Sequence, residues 1–296
     1  VHSFAHKPKP GDRVIMRFAH DVIGIGQIPQ IDKPYSFVET FKCVYGWDLC
    51  HCRRVTWAQG YDLGDLASVF QNAKQKPSFT QVHEKYILDM VRSIDNSVFE
   101  RTLNEMPNID ISVYTEESFG IELFRAGISN KNINDILSAL EQAERLCSWY
   151  RSEHCGRNPP SENEVVSHIT IPLFLGLGWS HQQIAVEWNK VDIAFFKNLP
   201  TKKENCVMVL EAKGLGTALS EVLDQPQGYV NNLDLRNTKY ILTTDGANLF
   251  VYGRSNDGWN PNPIGYISVL SPQKQYVLPK HTNLVETLVM LQPSAV

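Results

Sequence analysis

The sequence predicts an α/β (α+β) protein in which helices flank a mixed sheet and a small β-barrel precedes them. The 296 residues exceed the roughly 100–200 residues of one ordinary domain. Short strand-like segments separated by turn residues occupy the first part of the chain. After Pro160, helix and strand patterns alternate. We therefore expect a barrel domain at residues 1–110, a helical bridge at 111–157 and a mixed-sheet domain at 158–296.

The barrel is predicted from four segments that are bounded by Gly, Pro and Asp residues. They are Arg13–Phe18, Val22–Ile28, Phe37–Val44 and Arg53–Trp57. Between Tyr61 and Pro107, apolar residues recur at helical spacing and predict a helix that closes the first domain. The residues of that face are Val82, Tyr86, Ile87, Met90, Val91 and Ile94.

The bridge is predicted as two helices between Glu116 and Tyr150, with Ser129 or Asn130 as the N-cap of the second. Pro159 and Pro160 end it, because proline cannot continue a helix. The domain that follows has the predicted order αβββαββ. Its helices are Ser161 to about Leu177 and about Thr217 to Asn232, and its strands are Ile184–Trp188, Val191–Phe196, Cys206–Ala212, Lys239–Thr243 and Asn248–Tyr252.

Composition excludes several classes of protein. With 43% hydrophobic and 20% charged residues, the chain is typical of a globular protein in solution. Its six scattered cysteines lack the density of a secreted disulfide framework and the paired spacing of a structural zinc site. No apolar stretch approaches the ~20 residues of a membrane span, and the first residues do not resemble a secretion signal. We expect a cytoplasmic protein without a membrane partner.

The chemistry-bearing residues lie on two predicted strands. Glu211 and Lys213 are two residues apart, so the strand period puts both on one face. Asp192 lies on the preceding strand, and an antiparallel hairpin would bring it within ~5 Å of Glu211. Two such carboxylates repel each other unless a cation lies between them, and hard oxygen ligands favour Mg²⁺. An ordinary salt bridge at a strand edge is the simpler interpretation of Glu211 and Lys213 alone.

Asp192 and the run Glu211-Ala212-Lys213 resemble the motif of PD-(D/E)XK nucleases, with Val191-Asp192 in place of Pro-Asp. Around the motif, residues Ser161 to Tyr252 resemble the nuclease domain of type I restriction enzyme R subunits. That likeness rests on Ile171 to Trp179, Glu187, Val209 to Gly214 and Leu242 to Gly246. The resemblance implies a restriction-endonuclease-like fold and a Mg²⁺-dependent DNA endonuclease, with Mn²⁺ as a substitute cation.

The same resemblance implies further site residues. A glutamate on the first helix, Glu162, would join Asp192 and Glu211 as a metal ligand. Glu164 is its rival, but Ser161 and Glu164 also form a capping-box pattern, which is the simpler role for Glu164. Gln225 and Tyr229 would complete the catalytic set from one face of the following helix, although Pro226 between them would disturb that helix.

The resemblance does not extend to the motor of type I enzymes, because the sequence contains no GxxxxGK[ST] phosphate loop. We therefore expect cleavage of DNA without translocation. The chain would act as a stand-alone nuclease, for instance as a homodimer, or beside a separate motor or specificity subunit.

In the first domain, Gly11–Met16 and Ile23–Ile28 resemble the opening strands of PUA-like domains, including the EVE and YTH groups. The resemblance implies a reader that holds a flipped, modified base between aromatic rings. Trp47 and Tyr35 are the expected stacking residues, Arg53 and Arg54 the expected phosphate contacts, and Trp57 is expected to fill the barrel core.

Together these observations predict a restriction-type endonuclease that reads modified bases through its first domain. Two alternatives stay open. One is a DNA-binding or scaffold protein that keeps the nuclease fold without activity. The other is a nuclease directed at RNA, because PUA-like barrels often bind RNA.

Overall fold

The computed structural model describes twelve stretches of the chain, and all structural statements below concern them. They are residues 7–18, 21–32, 34–41, 43–44, 49–58, 62–64, 81–99, 110–155, 160–219, 222–255, 258–277 and 282–296. The chain divides into two compact units of mixed α/β structure. Val1–Lys42 and Leu49–Pro107 form the first, and Cys43–Asp48 and Asn108–Val296 form the second.

Within the described residues, the first unit contains two small antiparallel sheets and an α-helix. Strands β1 (Arg13–Phe18), β2 (Asp21–Gln27) and β5 (Thr56–Trp57) pair in the order β1-β2-β5, and β3 (Tyr35–Phe37) pairs with β4 (His51–Arg53). Helix α1 (Lys85–Ser93) buries Ile87 and Val91 against Val22 and Ile25 of β2. Ile87 and Val91 lie on the helical face that the apolar spacing predicts, but Tyr86, expected on the same face, is 59% exposed.

Neither sheet of this unit closes into a barrel within the described residues, so the barrel stays a prediction. The expected strand Phe37–Val44 is wrong. Strand β3 ends at Phe37, and Glu39–Phe41 forms a 3₁₀ turn that the bond from Phe41 N to Val38 O (3.0 Å) closes.

The second unit is built on a seven-stranded sheet, whose strands follow the order β11-β10-β9-β8-β7-β6 with β12 paired to β10. The β8–β9 pair is parallel and the other pairs are antiparallel. All seven residues of β8 are buried, as expected for a strand that reads as a continuous apolar run. The strands are β6 (Ile184–Trp188), β7 (Val191–Phe196), β8 (Cys206–Ala212), β9 (Tyr240–Thr244), β10 (Asn248–Ser255), β11 (Gly258–Trp259) and β12 (Gly265–Ser268).

Among the described residues, six α-helices accompany this sheet. Helices α2 (Glu116–Arg125) and α3 (Asn130–Tyr150) come first, and Ser129 caps α3 by accepting from Asn132 N, as predicted. A continuous helical stretch follows, in which a π-helical turn (Val165–Thr170) separates α4 (Glu162–Glu164) from α5 (Ile171–Gly176). Helices α6 (Asp224–Asn232) and α7 (Leu284–Met290) follow. The 3₁₀ turns of this unit lie at Glu153–Cys155, His181–Gln183 and Lys203–Asn205, whereas the 3₁₀ turn Asn96–Phe99 belongs to the first unit.

The predicted helical bridge contributes to the core of the second unit. Ile136, Ala143 and Cys147 of α3 are fully buried there and belong to the same core as Phe174 of α5 and Phe195 of β7. The order from α4 to β10 is therefore a helix, three antiparallel strands, a helix and two strands. It matches the αβββαββ order that periodicity predicts.

A tight hairpin turn positions the start of β7. Asn189 and Lys190 connect β6 to β7 with φ values of 50° and 75°, and Trp188 pairs with Val191 across the turn. Positive φ at both central residues is typical of the two-residue turns whose twist matches that of the flanking strands. Asp192 consequently lies one residue inside β7.

None of the helices in the described stretches combines the length and apolar character that a membrane span requires.

Candidate active site

Glu211 and Lys213 lie at the carboxyl end of β8. The Glu211 side chain is 2% exposed and that of Lys213 is 20% exposed, and Lys213 Nζ donates a hydrogen bond to Glu211 Oε1. The prediction that the strand period places both on one face is confirmed. The lysine thus supplies the counter-charge that a carboxylate needs inside a protein core.

Asp192 is held against the same strand by a backbone hydrogen bond. The antiparallel register pairs Ile193 with Leu210, so the preceding residue of β7 lies beside Glu211. Ala212 N donates to Asp192 Oδ2 over 2.7 Å. The hairpin predicted from the sequence therefore brings the two carboxylates to one face of neighbouring strands.

Glu162 faces this cluster from the first helix. Its Oε1 lies 3.7 Å from Lys213 Nζ, and its side chain is half exposed. Glu164 has a different role: Oε2 accepts from Ser161 N (3.0 Å), while Ser161 Oγ accepts from Glu164 N (3.2 Å). The capping box is confirmed, and of the two glutamates it is Glu162 that contacts the lysine.

The two strand carboxylates both have a raised pKa. Burial is the main cause at Asp192, where the charges of Glu162 and Glu187 add to it and the Ala212 N–H and Lys213 oppose it. Burial is also the main cause at Glu211, and the nearby Asp192 charge adds to it against the hydrogen bond from Lys213.

The pKa of Lys213 is raised as well, but for a lysine a raised pKa favours the charged form. Burial by itself lowers the pKa of this ammonium, but the hydrogen bond to Glu211 and the charges of Glu211, Glu162 and Asp192 outweigh it, so the pKa is raised. The lysine therefore stays charged, while the carboxylates around it remain costly to ionise. This imbalance favours the binding of additional positive charge at the cluster.

One buried oxygen offers a further coordination position. Glu211 Oε2 is buried and has no hydrogen-bond partner among the described residues. With Asp192 beside it, this oxygen fits the oxygen-donor set of a hard divalent cation. The described stretches contain no group of three or more His, Cys, Asp or Glu residues arranged to hold a metal, and Glu162, the expected third ligand, faces Lys213.

Gln225 and Tyr229 contact each other on one face of α6. Gln225 Nε2 donates to Tyr229 OH over 2.9 Å. The helix begins at Asp224 rather than near Thr217, so Pro226 lies in its first turn, where a missing N–H costs no helical hydrogen bond. The expected disturbance by Pro226 is therefore absent. Helix α6 packs against β8, and within the described stretches no hydrogen bond joins this pair to Asp192, Glu211 or Lys213.

Sequence reasoning missed Asp245 as a support of the site. This buried carboxylate accepts from Asn248 N (2.7 Å) and Ala247 N (3.1 Å) in its own turn, and from Gly216 N (2.9 Å) in the loop after Lys213. Burial raises its pKa. The Asp-Gly turn signal at Asp245 was available in the sequence, but the contact with Gly216 spans 29 residues and has no local signature.

The structure describes three of the four residues that we expect to bind nucleic acid in the first unit, namely Tyr35, Arg53 and Arg54. Tyr35 pairs with Arg53 across β3 and β4, and Arg53 Cζ lies 5.7 Å from the centre of the Tyr35 ring. Tyr35 OH is 2.7 Å from His51 Nδ1, and Arg54 N donates to Pro34 O over 2.9 Å. Trp47 lies outside the described residues.

Trp57 does not fill a core as expected. It is 37% exposed, and its ring lies over Gly24 and Gly26 of β2, where any larger side chain would meet it. The glycines leave room for the indole on the sheet surface, a contact that alternation alone does not predict.

Comparisons with protein-family models, with curated proteins and with solved structures find no match to this chain.

We predict that Asp192→Asn stabilises the protein when divalent cations are absent. Because the pKa values of Asp192 and Glu211 are raised above their ordinary 3.8 and 4.5, the folded state binds protons more tightly than the unfolded chain. Their contribution to stability therefore grows as the pH falls through the raised values and is lost as it rises. At neutral pH the amide removes this cost and can still accept from Ala212 N, so the Tm should rise by about 2–4 °C.

Thermal unfolding in chelator measures this effect, and the difference between variant and wild type should shrink as the pH falls through the raised pKa of Asp192. Asp135→Asn, on the exposed side of α3, is the matched control and should leave the Tm unchanged. An Asp192→Asn protein that melts below wild type at neutral pH would contradict the electrostatic account.

Proposed function

We propose that this protein is a Mg²⁺-dependent DNA endonuclease of the restriction type, with a restriction-endonuclease-like fold in its second unit. The main supporting observation concerns the buried carboxylate of Glu211. Its Oε1 accepts a hydrogen bond from Lys213, and its Oε2 has no hydrogen-bond partner among the described residues. Buried polar atoms almost always have a hydrogen-bond partner, so this oxygen calls for a water or a cation. Asp192 on the neighbouring strand adds the second carboxylate of the proposed motif.

Asp192 and Glu211 are the residues that would hold the cation, and the resemblance to nucleases adds Glu162. When bound, Mg²⁺ supplies the Lewis acidity that activates water and neutralises charge on the phosphate. Lys213, whose raised pKa keeps it protonated, stabilises the negative charge that develops on the phosphate as it is attacked. Asp245 keeps the backbone beyond Lys213 in place through Gly216.

DNA is proposed as the substrate because the resemblance over Ser161 to Tyr252 is to restriction enzymes. Gln225 and Tyr229 are proposed as further residues of the site, because they lie on one face of α6 and this helix packs against β8. Without a phosphate loop in the sequence, any translocation would come from a partner motor. An RNA substrate and an inactive scaffold are the competing proposals.

The first unit is proposed to be a PUA-like reader of nucleic acid. The supporting observation is the face of β3 and β4 that carries Tyr35, Arg53 and His51, to which Phe37 adds a ring that is 62% exposed. Aromatic rings offer stacking surfaces to bases and cationic groups offer contacts to phosphates.

The catalytic proposal predicts that Lys213→Ala and Asp192→Ala each lower the rate of duplex DNA cleavage in Mg²⁺ by at least about a hundredfold, because electrostatic stabilisation of the phosphate contributes on that order. Lys239→Ala is the matched control, since this exposed lysine precedes β9 at the opposite end of the β8–β9 pair. It should cleave like wild type.

Gel assays with matched DNA and RNA duplexes, modified and unmodified, decide between the proposals. Equal cleavage by wild type and the two site variants would refute the assigned site. Cleavage of RNA alone supports the RNA-directed alternative, and tight DNA binding without cleavage in Mg²⁺ or Mn²⁺ supports the scaffold.

The reader proposal predicts that Tyr35→Ala weakens the binding of a modified oligonucleotide by about tenfold, because one base–aromatic stack contributes ~1–3 kcal/mol. Fluorescence anisotropy on the full chain in chelator measures this without cleavage. Tyr86→Ala removes an exposed tyrosine from α1 of the same unit and should bind like wild type. Equal affinities for all three proteins would remove Tyr35 from the proposed reader surface.

A further inference from the structure

Two buried polar atoms on neighbouring strands lack hydrogen-bond partners in the described part of the chain. They are Glu211 Oε2 on β8 and Thr243 Oγ1 on β9. The parallel register pairs Glu211 directly with Thr243, so the two side chains project to the same face of the sheet. Thr243 is fully buried and Glu211 is 1% exposed.

The neighbouring threonine has a different role. Thr244 Oγ1 donates to Asn248 O over 2.7 Å and accepts from Gly246 N over 3.0 Å, so its hydroxyl belongs to the β9–β10 turn. Successive residues of a strand alternate between faces. Thr243 is therefore the threonine of this pair that shares a face with Glu211.

One water molecule can form hydrogen bonds with both unpartnered atoms at once. A hydroxyl can donate, whereas an ionised carboxylate only accepts. They do not bond to each other directly, but a water between them can accept from Thr243 Oγ1 and donate to Glu211 Oε2. Buried waters characteristically satisfy polar groups that otherwise lack partners.

We propose that Thr243 is a positioning residue of the site, which together with Glu211 binds a buried water that orients the second oxygen of that carboxylate. Lys213 holds Oε1 and the water holds Oε2, so both oxygens of Glu211 are constrained before a cation arrives. Asp192, Glu211 and Thr243 then form a row across β7, β8 and β9. The catalytic consequence rests on the proposed nuclease function, whereas the water site does not.

The water site is tested by crystal structures of the cation-free wild type and of the Thr243→Val and Thr243→Ser variants. We expect an ordered water within hydrogen-bond distance of both Glu211 Oε2 and Thr243 Oγ1 in wild type. It should remain in the serine variant and be lost from the nearly isosteric valine variant. No bridging water in wild type, or one that persists unchanged in Thr243→Val, would overturn the proposal.

The positioning role is tested by steady-state cleavage at saturating Mg²⁺. Thr243→Val should lower kcat about ten- to a hundredfold with KM for DNA unchanged, as expected for a residue that orients a metal ligand, and Thr243→Ser should restore kcat. Thr238→Val, a buried threonine just before the other end of β9, is the matched control and should keep wild-type kcat. A Thr243→Val protein with wild-type kcat would overturn this role, whatever its Tm.

A wild-type protein that cleaves no DNA would instead refute the nuclease function, and the crystal structures would still decide whether the water is bound.

Discussion

The hydrogen bond from Lys213 to Glu211 is the interaction on which the candidate site depends. Strand β8 is buried along its whole length, and an isolated carboxylate at its end would be too costly to ionise. The lysine reduces that cost at one oxygen and leaves the other without a partner. Removing one partner of such a pair costs more than the pair contributes. The pair therefore explains both why the strand tolerates a charge and why the charge remains available to a cation.

The surrounding elements constrain this pair through backbone hydrogen bonds. Lys213 N donates to Thr244 O over 2.8 Å and extends the parallel pairing beyond β8. Asp192 accepts from Ala212 N, and Asp245 accepts from Gly216 N. Each bond joins a different neighbour to the last residues of β8 or to the loop after them. The positions of the charged groups are thus set mainly by hydrogen bonds to the main chain.

Local sequence patterns were sufficient to predict β6, β7 and β8 with the bounds that the structure has, because each is a short apolar run closed by a turn. They were also sufficient for the contact of Glu211 with Lys213. The roles of Asp245 and Thr243 depend on the pairing of β8 with β9, which lie about thirty residues apart and carry no local signal of their partnership. In the first unit, strands of two or three residues are too short for alternation to define, and Trp57 lies on glycines rather than in a core.

The most direct test is a crystal structure of the full chain soaked in Mn²⁺, with anomalous scattering measured at the Mn edge. The account predicts a peak that both Asp192 and Glu211 Oε2 coordinate, with Lys213 Nζ still near the cluster. Crystals that show no anomalous peak at these carboxylates at saturating Mn²⁺ would contradict the proposed cation site and with it the nuclease mechanism.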